Sequence, residues 1–81
     1  MAISIEERKA LRKELLLELY NYYFENGGAP YKITKDVLKE DKERDLALDY
    51  LKLKGLINAN PLGNSHVIIK ITPYGIDEVE N

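Results

Sequence analysis

The sequence predicts an α+β fold made of three helices, a two-stranded β-hairpin and a short closing helix, in that order. Three observations lead there. Up to Gly55, apolar residues recur at three- and four-residue steps in runs that open on capping residues and close on turn signals. Two β-branched or apolar runs, Leu56 to Ala59 and Val67 to Ile71, flank the turn-rich segment Asn60-Pro61-Leu62-Gly63-Asn64-Ser65. Thr72-Pro73 then sets a cap and a first-turn proline at the head of a last helix.

The first helix starts at a capping box. The Ser4 hydroxyl accepts from the amide of Glu7, and the Glu7 carboxylate reaches back to the amide of Ser4. Leu11, Leu15, Leu16, Leu19, Tyr22 and Tyr23 form its inner face, and Gly27-Gly28 supplies the left-handed residue that ends it, giving a helix over about residues 5 to 26. Tyr31-Lys32-Ile33 suits a minimal strand. Thr34 caps a second helix over residues 35 to 39, which Val37 and Leu38 are expected to bury. Glu40-Asp41 makes a turn, Asp41 caps the third helix over about residues 42 to 54, and Gly55 stops it. In the closing helix, Ile76 and Val79 are expected to pack inward.

Composition bounds what such a chain does. Eighty-one residues, 44% hydrophobic and 32% charged, suit one domain over residues 1 to 81. The absence of cysteine excludes a disulfide framework, a thiol nucleophile and a cysteine-based zinc site, and suits a reducing cytoplasm. No apolar run approaches the roughly 18 residues of a membrane span, and Met1-Ala2-Ile3-Ser4-Ile5-Glu6-Glu7 does not read as a signal peptide. A net charge of −2 denies the chain a broad basic field, so any nucleic-acid contact must come from local charge.

Two segments, Leu51-Lys52-Leu53-Lys54-Gly55-Leu56-Ile57 and Ile71-Thr72-Pro73-Tyr74-Gly75-Ile76-Asp77-Glu78-Val79-Glu80, carry a family resemblance. The first is similar to the helix end, glycine and apolar pair of MarR- and PadR-like regulators, and the second to their strand, Thr-Pro-x-Gly and helix. With the upstream helices, the chain resembles a winged helix-turn-helix protein over about residues 5 to 80. The resemblance implies a transcriptional regulator whose third helix enters the major groove while the wing touches phosphate.

Carried onto this chain, that geometry puts Ala47, Leu48 and Leu51 on the core side of the third helix. Lys42, Glu43, Asp45, Leu46 and Asp49 face outward. The candidate DNA-contacting residues are Lys35, Lys39, Lys42, Arg44 and Asp45, with Asn64 and His66 from the wing. Their interleaving with Asp36, Glu40, Asp41 and Glu43 leaves two readings open: a few phosphate contacts of modest strength, or charge pairs at helical spacing on a solvated face. No lysine or arginine lies in the wing loop.

Leu17, Tyr20 and Phe24 form a second apolar stripe on the first helix. Either a homodimer partner or the closing helix must cover it. Arg8 and Arg12 continue the inner line at the N-terminal end, which is expected to overhang the core. Leu46, Tyr50 and Leu53 form a similar stripe on the third helix. Its usual explanation is burial against the first two helices; exposure would favour a protein partner over DNA. His66 is the only histidine, and the carboxylates lack a matching base or nucleophile, so neither a metal, a cofactor nor an enzyme is expected.

Overall fold

A computed structural model describes residues 3–81. Its elements run α1 (Ile5–Glu25), β1 (Tyr31–Thr34), α2 (Lys35–Glu40), α3 (Lys42–Leu53), β2 (Ile57–Leu62), β3 (His66–Ile71) and α4 (Pro73–Glu80). The chain is α+β, with four helices and one antiparallel sheet of three strands.

Local chemistry sets each helix boundary. Both hydrogen bonds of the Ser4–Glu7 capping box are made, at 3.1 Å each. α1 ends at Asn26, where Gly27 and Gly28 take φ of 61° and 86° and the Gly28 amide donates to Tyr23 O at 2.7 Å. The Thr34 hydroxyl accepts from the Val37 amide, and Asp41 Oδ1 accepts from the Arg44 amide, so the caps of α2 and α3 stand where the sequence placed them. Gly55, at φ 80°, closes α3: its amide donates to Lys52 O and the Leu56 amide to Leu51 O, both at 3.0 Å. These two bonds satisfy carbonyls that the helix end would otherwise leave open.

The sheet corrects the two-stranded expectation. Its order is β1-β3-β2, so Tyr31–Thr34 joins the hairpin as a third strand paired with β3, Tyr31 opposite Ile69 and Thr34 opposite His66. The hairpin is also longer than predicted. Asn60, Pro61 and Leu62 lie in β2, opposite Ile68, Val67 and His66, and the turn shrinks to residues 63 to 65. Proline lacks an amide donor and is confined to sheet edges, and β2 is an edge strand. Gly63, at φ 65°, supplies the left-handed residue that a three-residue hairpin turn uses.

The core lies between α1, α3 and the sheet. Leu15, Leu16 and Leu19 meet Ala47, Leu48 and Leu51, with Ile33, Ile57, Ile69 and Ile71 from the strands. Ile76 and Val79 of α4 pack half-buried against it, as expected. α2 departs from expectation: it contributes no fully buried residue, Leu38 is half-buried and Val37 is 39% exposed, because a helix of six residues has too little length to bury a full stripe. Gly75 is buried against the Leu56 carbonyl, so α4 approaches the start of the hairpin more closely than a side chain would allow.

Candidate functional site

The outward face of α3 follows from its core face. Ala47, Leu48 and Leu51 point inward, so a 3.6-residue period turns Lys42, Leu46, Asp49 and Leu53 to the opposite side. Leu46 is 61% exposed and Leu53 80%, while Tyr50, on the flank toward α1, is 40% exposed. The stripe that burial against α1 and α2 was expected to hide is therefore open along the helix. On the opposite flank, Asp45, Asp49 and Lys52 border a groove of about 220 Å³ between α3 and the hairpin, with Leu38, Ala59 and Val67 in its wall.

The candidate DNA-contacting residues are spread over α2, α3, the hairpin turn and the head of β3. Lys39 and Lys42 are exposed, and neither makes an ion pair with a described residue. Lys35 is half-buried at the head of α2, where its amide donates to Ser65 O at 2.8 Å and ties that helix to the hairpin turn. Arg44 turns away from this group. It precedes Ala47 by three residues and Leu48 by four, so it shares their face and borders a small cavity of about 20 Å³ with Leu15, Glu18 and Tyr31. Its Nε is buried without a hydrogen-bond partner, 3.8 Å from Asp41 Oδ2.

Asp45 is exposed on the flank of α3 that faces the hairpin. Asn64 is exposed at the turn. His66 is half-buried at the turn end of the hairpin, between Thr34 and Leu62, with Nδ1 2.8 Å from Ser65 Oγ. It stands beside the turn rather than at its tip.

Residues 4 to 10 at the N-terminal end of α1 are exposed beyond the core, as expected, and side chains on this half of the helix reach α3. Arg8 donates twice to Glu43, Nε to Oε1 and Nη2 to Oε2, both at 3.1 Å. The hydrogen bond, then the charge of Arg8 after some opposition from desolvation, hold the Glu43 carboxyl below its ordinary range. One turn on, the Arg12 guanidinium sits 4.1 Å from the centre of the Tyr50 ring, with Lys54 Nζ at 5.9 Å. Glu43, expected to face solvent, is thus engaged by α1.

The dimer candidates differ in exposure. Tyr20 is half-buried and its hydroxyl donates to Glu80 Oε2 at 2.8 Å, so α4 takes up this part of the stripe. Leu17 is 47% exposed beside Val79, and Phe24 55% exposed, its ring 4.8 Å from that of Tyr20 and 5.1 Å from that of Tyr23. Among the described residues no helix is long and apolar enough to cross a membrane. Compared with protein-family models, curated proteins and solved structures, the chain matches none.

Proposed function

We propose that the chain is a winged helix-turn-helix module, non-catalytic, that docks a protein partner through the outward face of α3. The exposure of Leu46 and Leu53, with Tyr50 beside them, carries the reading. Aliphatic and aromatic anchors that sit in water in the free chain gain by burial against another protein, whereas a DNA groove offers them mainly phosphates and base edges. Asp45 and Asp49 on the same helix add a charge that phosphate repels. The element order, with a helix pair followed by a hairpin and a capped closing helix, supports the winged-helix assignment. A second copy of the chain against Leu17 and Phe24 is part of the proposal, supported by their exposure. The cysteine-free composition supports a cytoplasmic setting.

Duplex DNA is the second reading. Lys39 and Lys42 favour it, being exposed, three residues apart on either side of the α2–α3 turn and unpaired with described residues. The two readings part in one experiment: affinity capture from a cell extract with the wild type and with Leu46→Asp/Leu53→Asp, with and without nuclease. The docking reading expects nuclease-resistant partners that the variant loses. Partners that vanish with nuclease and persist in the variant would favour DNA.

A further inference from the structure

We infer that the groove between α1, the end of α3 and α4 recognises an acidic segment of a partner protein, one with carboxylates next to an apolar side chain. The inference rests on the protein-docking reading and adds the chemistry of the partner. The groove has a volume of about 230 Å³, and four cations border it: Lys9, Arg12, Lys13 and Lys54. Glu78 is the one carboxylate there. In a chain of net charge −2 this is a local reversal of sign.

Lys9, Arg12 and Lys13 share one face of α1 through their three- and four-residue spacing, and Lys54 reaches them from the C-cap of α3. None of the four makes an ion pair with a described residue, whereas Arg8 is held by Glu43 and Arg44 lies beside Asp41. Like charges gathered without internal partners repel one another, and an external anion relieves that repulsion. The anion must also suit an apolar floor. Leu16 and Leu51 are buried at the base, Leu56 is half-buried, and Tyr50 forms a wall.

Arg12 fixes the geometry of recognition. Its guanidinium is held 4.1 Å from the centre of the Tyr50 ring and makes no ion pair with a described residue, so its N–H groups remain available for a two-point contact with a carboxylate. The same cation–ring contact disfavours nucleic acid. Phosphates would satisfy the cations, but the ring face on which a base would stack is occupied by Arg12, and the leucine floor has no side-chain group to read a base edge. A glutamate or aspartate beside a leucine or phenylalanine fills both halves of the groove.

The test is a titration of ¹⁵N-labelled protein with three probes: a short capped peptide of alternating glutamate and leucine, its lysine–leucine counterpart, and a single-stranded oligonucleotide. Saturable amide shifts are expected with the acidic peptide at Lys9, Arg12, Lys13, Tyr50 and Lys54. Lys13→Glu/Lys54→Glu, two exposed positions, should keep the fold by circular dichroism and bind roughly tenfold more weakly. The inference is overturned by no saturable shift, by shifts mapping elsewhere, by equal binding of the basic peptide, or by an oligonucleotide that takes the groove more tightly. Capture lost by Leu46→Asp/Leu53→Asp but kept by Lys13→Glu/Lys54→Glu would sink the groove assignment alone. Acidic-peptide binding with capture indifferent to the Leu46→Asp/Leu53→Asp change would instead sink the docking of a partner on the outward face of α3.

Discussion

The hydroxyl of Thr72 donates to the carbonyl of Gly55 at 2.6 Å, tying the residue that opens α4 to the one that closes α3. The same oxygen accepts from the Gly75 amide at 3.2 Å, and the Thr72 amide donates to Leu56 O at 3.0 Å. The Thr72 side chain therefore joins two helix ends, and its backbone amide adds the start of the hairpin. Thr72→Ala should cost about 1 to 2 kcal/mol in denaturant unfolding. Thr72→Ser should recover most of it, since the hydroxyl makes the bonds.

Gly75→Ala should destabilise although alanine is the better helix former. A Cβ there would collide with the backbone carbonyl of Leu56 and press on Ile71 Cγ1, and a backbone oxygen cannot rotate aside. The helix-propensity gain of about 1 kcal/mol is outweighed by an overpacking cost of about 1 to 3 kcal/mol or more. Gly55→Val tests a different origin: nothing lies within 4 Å of its Cβ position, so a loss of about 1 to 2 kcal/mol would come from φ alone. Thermal unfolding of both variants checks the pair.

Much of this junction was readable in the sequence because capping and left-handed glycines are local chemistry. Ser4, Thr34, Asp41, Gly55 and Thr72 each announce a boundary through residues within one turn of them. The third strand was not readable as a partner, since Tyr31–Thr34 gains meaning only when β3 arrives from more than thirty residues on. Pro61 looked like a turn residue because its tolerance in a strand depends on β2 being an edge. Among site residues, the spacing of Arg44 to Ala47 and Leu48 puts it on the inner face of α3, apart from the exposed Lys39 and Lys42. The basic groove was missed because Lys54 joins Lys9, Arg12 and Lys13 only through the α1–α3 crossing; the available hint was that Arg8 and Arg12 continue the inner line of α1.

The Arg8–Glu43 pair predicts an acid limb to stability. The folded state holds the Glu43 pKa below its ordinary value of 4.5, so the contribution is present above that pH and is lost as pH falls through the lower folded value. Glu43→Gln should flatten that part of the profile in denaturant melts. An unchanged acid limb would show the pair to be open in solution.

Tyr20 predicts an opposite limb. Its hydroxyl donates to Glu80, and that bond, ahead of desolvation and the carboxylate charge, raises the phenol above its ordinary 10.0. The contribution is therefore present below pH 10.0 and is lost as pH rises through the higher folded value. In an ultraviolet titration one of the six tyrosines should ionise late, and Tyr20→Phe should remove that late step.

Leu17→Glu with Phe24→Glu should convert a dimer to a folded monomer in light scattering coupled to gel filtration. Both side chains are exposed in the single chain, so the fold should survive the change. Wild-type protein that stays monomeric at high micromolar concentration would remove self-association through this face.

The claim that α3 faces a protein and not duplex DNA is tested most directly by titrating the protein into mixed-sequence duplex DNA at two salt concentrations, beside Asp45→Asn/Asp49→Asn. No measurable binding by the wild type is expected at low salt, and at most weak, salt-sensitive binding once the two carboxylates are neutralised. Wild-type binding that weakens with salt at a log-log slope of about −0.9 per phosphate neutralised, with Lys39→Ala and Lys42→Ala each lowering the slope by about one, would contradict it.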